Sequence, residues 1–262
     1  MKKQKKDIII LGAGNVAHAL GKELNAKGYL IRGVYSRTTK SARALAKYFS
    51  CDVYADPSLI PADANYYLIS VTDEALPEVA SRMPLTDGTV MHTAGSVPLD
   101  VLARFKRYGV LYPLQTLSKN KETDFSIMPL CIEASDKTTL KEIKKIALEM
   151  SETVVEVTTQ QRKVLHVAAV FACNFSNYMY IAAHDILKQA GMDFKILLPL
   201  IIETVEKLML MEPRQAQTGP AIRGDKSIMQ EHIHLLKEMP HYQKIYKSLS
   251  SAIAEILAPK KD

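Results

Sequence analysis

The sequence predicts an α/β protein in which a doubly wound, mostly parallel sheet is followed by an all-α domain. Three observations carry that prediction. An apolar, strand-forming run opens into a glycine turn close to the N-terminus. Strand and helix signals then alternate as far as residue 158, and from residue 159 onward only helical patterns recur. At about 100–200 residues per domain, 262 residues fit two domains, expected at residues 1–158 and 159–262.

The first element is Ile8-Ile9-Ile10-Leu11, which leads directly into Gly12-Ala13-Gly14-Asn15-Val16-Ala17 and then a helix-compatible segment from His18 to Leu24. Strand, Gly-x-Gly-x-x-Ala and helix in that order form a Rossmann-like dinucleotide-binding turn. Gly12 lets the chain turn tightly, and Gly14 lets the backbone approach a pyrophosphate. Ala17 keeps helix and strand close. The free N–H groups at Asn15 and Val16, with the helix dipole behind them, favour an anion. Gly28 suits the helix C-cap and residues 30–35 form the second strand, closing the unit in the ~30 residues it requires.

The end of the second strand bears on the nucleotide. NAD-binding domains of this type tend to carry an acidic residue there, about 20 residues after the glycines, for the ribose hydroxyls. This chain has Ser36-Arg37-Thr38-Thr39-Lys40 instead. Without a carboxylate to repel a 2′-phosphate, and with Arg37 able to pair with it or stack on adenine, NADP(H) is expected over NAD(H). The alternative is that Arg37 and Lys40 are ordinary solvated charges at a helix start.

Further along, residues 41–49 read as a helix and Cys51-Asp52-Val53-Tyr54 as a short strand. Residues 66–71 form a buried strand ending at Ser70, Val71 and Thr72, and Asp73 is placed to cap a helix over residues 75–82. Strands follow at 89–93, 109–112, 130–133 and 154–157, with a helix over 138–150. In open α/β sheets ligands lie beyond the carboxyl ends of the strands. Ser70, Val71, Thr72 and Thr93 are therefore expected against the cofactor, and His92, Gln115 and Thr116 against the substrate. His92 reads equally well as a packing histidine. The helical domain is expected as helices over 160–189, 193–211, 225–237 and 241–257.

The helix from Gln160 holds the richest chemistry. His166, Asn174 and Asn177 recur near one face of an otherwise apolar helix, so that face is expected to border a cleft. There His166 could exchange a proton as hydride moves at a carbonyl or imine carbon, with the two amides orienting the substrate. A satisfied core histidine with structural asparagines is the alternative. In Thr218-Gly219-Pro220-Ala221-Ile222-Arg223-Gly224-Asp225, Arg223 could clamp a substrate carboxylate and Asp225 could cap the next helix.

Composition excludes other classes. The net charge of +6 is concentrated in the terminal lysines Lys2, Lys3, Lys5, Lys6, Lys260 and Lys261, which argues against a nucleic-acid groove. No unbroken apolar run reaches the ~18 residues of a membrane span, so no membrane contact is expected. The N-terminus shows no signal-peptide pattern. Three widely spaced cysteines, Cys51, Cys131 and Cys173, form neither a disulfide framework nor a metal spacing, which fits a cytoplasmic protein. No metal is expected.

The chain as a whole resembles Rossmann-like proteins with a C-terminal helical domain of unknown function, often labelled NADP oxidoreductases. The matching segments are residues 11–17, Tyr112-Pro113-Leu114-Gln115-Thr116-Leu117-Ser118, residues 166–175 and residues 218–225. The resemblance implies the two-domain fold and an NADP cofactor, and it implies no substrate. More distantly the layout is similar to pyrroline-5-carboxylate reductases, ketopantoate reductases and β-hydroxyacid dehydrogenases. The last two groups carry a catalytic lysine in the first helix of the second domain. Here His166 stands at roughly that position, with Val170 four residues on and Lys163 nearby. Relatives of this kind pair their long helices between subunits, so a homodimer through the C-terminal helices is implied. The expected activity is NADP(H)-dependent hydride transfer to or from a small polar carbonyl, hydroxy acid or imine. A nucleotide sensor or scaffold without turnover is the alternative, and a reductase using a deazaflavin beside NADP is a weaker one.

Overall fold

The computed structural model describes residues 6–119 and 121–257. The terminal lysines 2, 3, 5, 260 and 261 lie outside the described residues. The chain divides into two compact units, residues 1–174 and 175–262.

The first unit is built on one eight-stranded sheet in the order β3-β2-β1-β4-β5-β6-β7-β8. Its strands are β1 (Asp7–Leu11), β2 (Leu30–Tyr35), β3 (Asp52–Tyr54), β4 (Tyr66–Ile69), β5 (Thr89–His92), β6 (Tyr108–Pro113), β7 (Leu130–Ala134) and β8 (Val154–Glu156). Pairing is parallel throughout except between β6 and β7, where Leu111 faces Ile132 in an antiparallel ladder. The central strands are apolar along their whole length because both faces are covered; Ile8, Ile9, Ile10 and Leu11 are all fully buried.

One face is packed by α1 (Asn15–Ala26), α2 (Thr39–Phe49) and α4 (Lys137–Met150) through Ala17, Leu20, Leu45, Ile143 and Ala147. The other is packed by α3 (Leu76–Arg82) and two short 3₁₀ turns through Leu76, Val79, Ile60 and Leu102. Asp136 caps α4, accepting from the amides of Thr138 and Thr139. Asp73 does not cap α3, as the sequence suggests it would. That helix begins at Leu76 without a side-chain cap, and the Asp73 carboxylate accepts a hydrogen bond from Ser96 Oγ.

The unit closes on α5 (Thr159–Ala169), whose start is fixed twice. Thr158 and Gln161 form a reciprocal capping box. Glu133 Oε1, from β7, accepts from both the backbone N and the hydroxyl of Thr159, at 2.8 and 2.6 Å. One turn on, Arg162 is 0% exposed. Its Nη1 donates to the carbonyls of Ala94, Gly95 and Val97 at 2.8, 3.1 and 2.8 Å, and its Nη2 pairs with Glu133 Oε2 at 3.0 Å. This tie groups the helix beginning at Thr159 with the sheet, and the two units divide within the helical run that follows.

The expected single helix over 160–189 is interrupted. Val170–Phe175 is a π-helical turn between α5 and α6 (Ser176–Gln189). The 31-residue run Thr159–Gln189 is also long and apolar enough to cross a membrane by length and composition. The sequence predicts no such segment, because Arg162, Lys163 and His166 interrupt its apolar residues. Buried Arg162 and polar His166, Asn174 and Asn177 punctuate the run, and its start is bonded to the sheet.

The second unit continues with α7 (Leu198–Leu210), α8 (Pro213–Ala216), α9 (Pro220–Arg223), α10 (Lys226–Leu235) and α11 (Pro240–Leu257). Its helices are joined by polar contacts between Tyr178 and His241, Tyr242 and Asp185, and His232 and Tyr246. They surround an apolar cavity of about 280 Å³ bordered by Met179, Ile186, Pro220, Tyr246 and Ile253. Among the described residues of this unit, only Ala221 and Leu236 are buried hydrophobics, while Leu200, Ile202, Val205, Met209 and Leu210 of α7 are exposed.

Removing the Arg162 guanidinium leaves Glu133 and three buried carbonyls without their partner, which should cost about 3–5 kcal/mol. Urea unfolding of Arg162→Met against wild type measures this. A loss under about 1 kcal/mol would show that the ion pair does not hold α5 in place.

Candidate active site

A cleft of about 980 Å³ runs along the carboxyl ends of β1, β2, β4, β5 and β6 in the first unit. It lies where the strand order reverses between β1 and β4, the position at which open α/β sheets bind ligands. Its floor is the glycine turn. Gly12 has φ +127°, and a Cβ there would lie 2.0 Å from the Ser70 carbonyl oxygen, so only glycine fits. Its amide donates to the Tyr35 carbonyl at 2.7 Å, and Ser70 N donates to the Leu11 carbonyl at 2.7 Å, which ties the strand ends together. Gly14 N-caps α1 without a side chain, and a Cβ there would meet nothing within 4 Å. The open first turn of α1 is therefore a fit for a pyrophosphate. Asn15 borders this end too, and its Nδ2 donates to the Leu117 carbonyl at 2.9 Å, pinning the loop after β6 over the turn. Ala17 does not reach the cleft: it is fully buried and acts by packing α1 against the sheet.

Tyr35, Ser36, Arg37, Thr38 and Ser41 line the end of the cleft beyond β2. Arg37 is exposed and, among the described residues, has no carboxylate partner. Its neighbours in the fold differ: Arg32 pairs with Asp7 and Asp63, and Arg82 pairs with Asp56 and Glu78. An unpaired guanidinium beside three hydroxyls suits a phosphate monoester.

Ser70, Val71, Thr72 and Thr93 line the middle of the cleft, with Thr93 Oγ1 donating to Ser70 Oγ at 3.2 Å. Gln115 and Thr116 line it beyond β6, where the Gln115 Oε1 accepts from Thr116 N at 2.9 Å. The far end is formed by Tyr112, Gly95, His166, Ala169, Val170, Cys173 and Asn174. His166 Nδ1 is 3.1 Å from the Tyr112 hydroxyl. In a regular helix Asn174 would stand about 80° around from His166. The wider π turn takes back most of that drift, so His166, Val170 and Asn174 all face the cleft.

Besides Ala17, three expected site residues are not among those that line the cleft. His92 is 0% exposed and does not line the cleft. Its Nδ1 accepts from Ala94 N at 3.2 Å, and its Nε2 has no hydrogen-bond partner among the described residues. The alternation of β5 turns it into the interior while Thr93 reaches the cleft. Burial, and then the charge of Arg162, pushes its pKa down to about 3, which the backbone of Pro98 opposes only in part. Asn177 belongs to the second unit. Arg223, also in the second unit, is held by Asp225 through Nε and Nη2 at 2.9 Å. That engages the guanidinium expected to clamp a substrate, and it diverts the carboxylate expected to cap α10.

Sequence reasoning passed over Tyr112, Gly95, Arg162 and Glu133 as site residues. Only Arg162 left a signal, a cation within the first turn of an apolar helix.

A search of structures places a protein of Bacteroides fragilis, assigned as an NADP oxidoreductase, at 41% identity and TM-score 0.89 over 96% of this chain and 98% of that one. The chain belongs to this NADP oxidoreductase family. Residues 7–93 match the family described as "NADP oxidoreductase coenzyme F420-dependent", and residues 128–253 match a domain of unknown function, DUF2520. NADP(H) is the cofactor of the family's nucleotide-binding domain, and the chain is an NAD(P)-dependent oxidoreductase. The fold alone is shared with a pyrroline-5-carboxylate reductase from Coxiella burnetii, at 16% identity and TM-score 0.58 over 98% of this chain and 100% of that one. It is likewise shared with a reductive aminase from Aspergillus terreus in complex with NADPH and ethyl levulinate, at 12% identity and TM-score 0.72 over 96% and 93%. None of the curated proteins compared matches the chain.

His92 also gives the fold a pH dependence. Its folded pKa lies below the 6.5 of a free histidine, so the unfolded chain takes up the extra proton. Its contribution to stability is complete above pH 6.5 and falls away as pH drops toward 3, with a slope of up to about 1.4 kcal/mol per pH unit. Urea unfolding between pH 7 and 4 should show that slope in wild type and a shallower one in His92→Gln. Equal slopes would remove His92 as the source.

Proposed function

We propose that the cleft carries NADP(H)-dependent reduction, or the reverse oxidation, of a small polar carbonyl, imine or hydroxy acid. Bound NADP(H) supplies or takes up the hydride. The supporting observation is one continuous cleft with, at one end, an arginine that has no carboxylate partner among the described residues and, at the other, a half-buried histidine. In this reading the glycine turn and the first turn of α1 hold the pyrophosphate, and Ser36, Arg37 and Thr38 hold the 2′-phosphate. Ser70, Val71, Thr72 and Thr93 border the nicotinamide half. His166 exchanges the proton at the acceptor oxygen or nitrogen, with Asn174 orienting the substrate and Gln115 and Thr116 flanking it. The family match that names coenzyme F420 ends at Thr93, before the residues assigned to the acceptor.

The assembly in this reading is a homodimer through the C-terminal helices. Support comes from the second unit, which buries few apolar side chains of its own and exposes those of α7. The free Cys51, Cys131 and Cys173 fit the reducing cytoplasm.

Two experiments test the reading. Fluorescence titration of Arg37→Asp should show NADPH affinity reduced roughly 100-fold while NADH affinity is nearly kept, since a charge-assisted phosphate contact is lost. Equal loss of both would refute the 2′-phosphate role. NADPH oxidation by a panel of small keto acids, aldehydes and cyclic imines should give turnover in wild type. In His166→Ala that turnover should fall about 100-fold or more with NADPH binding retained. NADPH binding without turnover on any of them would favour a sensor or scaffold, which the histidine in place of lysine also suits.

A further inference from the structure

We infer that Tyr112 sets the tautomer of His166, so that the histidine presents Nε2–H to the cleft and acts on an acceptor atom, a carbonyl oxygen or imine nitrogen, in the reductive direction. The inference rests on the reading of His166 given above and narrows its substrate class.

Tyr112 supplies the first constraint. Tyr112 is only 8% exposed, and burial raises its pKa, so the phenol is neutral and keeps its proton. Among the described residues the hydroxyl's one hydrogen-bond partner is His166 Nδ1, at 3.1 Å. A neutral phenol with one partner is satisfied as a donor only if that partner accepts. Nδ1 must then carry its lone pair, and the neutral ring holds its proton on Nε2.

Gly95 supplies the second constraint. A Cβ on Gly95 would lie 2.6 Å from His166 Nδ1, 2.8 Å from its Cγ and 3.1 Å from Tyr112 Cζ. The glycine backbone and the tyrosine together enclose the Nδ1 edge of the ring. The Gly95 carbonyl is fixed in turn by Arg162, one helical turn before His166. Nε2 is thus the nitrogen left to meet a substrate. Donating N–H, it polarises a C=O or C=N bond toward hydride addition; as the Nε2 proton passes to the product oxygen or nitrogen, the Tyr112 hydroxyl proton passes to Nδ1, and the phenolate is reprotonated from solvent. Abstracting a proton from a hydroxy acid would require the opposite tautomer.

The test is two-bond ¹⁵N–¹H NMR of uniformly labelled protein with NADP⁺ added, the His166 signals being assigned by their loss in His166→Gln. Wild type should show an unprotonated, hydrogen-bonded Nδ1 and a protonated Nε2. In Tyr112→Phe the Nδ1 resonance should move to the position of a free imidazole nitrogen. Gly95→Ala, which keeps Tyr112 but displaces the ring, should cause the same movement. Both variants should retain wild-type NADPH affinity while kcat on the panel substrate falls about tenfold. A proton on Nδ1 in wild type, or an Nδ1 resonance unmoved in both variants, overturns the inference and leaves the role of His166 standing. Conversely, wild-type turnover in His166→Ala removes the catalytic reading whatever the tautomer.

Discussion

The buried guanidinium of Arg162 is the constraint on which the end of the cleft formed by His166 and Tyr112 depends. A charge with no solvent exposure persists only when paired and hydrogen-bonded, and here one carboxylate and three carbonyls do that work. Those partners come from the loop after β5 and from strand β7, and the charge itself comes from the start of α5. Because the charge must be met by all of them at once, the loop, the strand and the helix have little freedom to move independently. His166 and Tyr112 therefore meet on a fixed platform, with Gly95 between them.

The nucleotide end obeys a different logic. Nothing there resembles a buried ion pair. The turn is fixed sterically by Gly12 against the Ser70 carbonyl and by the backbone bonds that tie β1 to β2 and β4. Its charge is left exposed: among the described residues Arg37 has no carboxylate partner, while Arg32 and Arg82 are neutralised by neighbouring carboxylates. In the proposed reading, the end that takes an anionic cofactor needs accessible positive groups, whereas the end that positions a proton donor needs a rigid frame. The two ends of one cleft meet these opposite demands with different devices.

The π turn joins the two scales. A regular helix would carry Asn174 partly away from the face that holds His166, and one widened turn restores it. That turn contains the division between the compact units, after Asn174, so the same irregularity that aligns the polar side chains falls where the chain passes from one unit to the next.

By itself the sequence determined what local rules govern. The strands appear as apolar runs, the glycine turn as a spacing, and the absence of an acidic residue after β2 as a missing residue type. Each is a property of neighbours in the chain, so each was legible to within a residue or two. Only the tertiary structure decided which polar residues face the cleft. His92 turned inward because the pleat of β5 sends it and Thr93 to opposite faces. Arg223 was engaged by Asp225, two residues away, through a loop geometry that spacing does not specify. Tyr112, Gly95, Arg162 and Glu133 became one cluster because β6 and β7 are neighbours in the sheet and Arg162 of α5 bonds both β7 and the loop after β5. Their interactions depend on three-dimensional proximity between segments tens of residues apart, which a linear pattern does not contain.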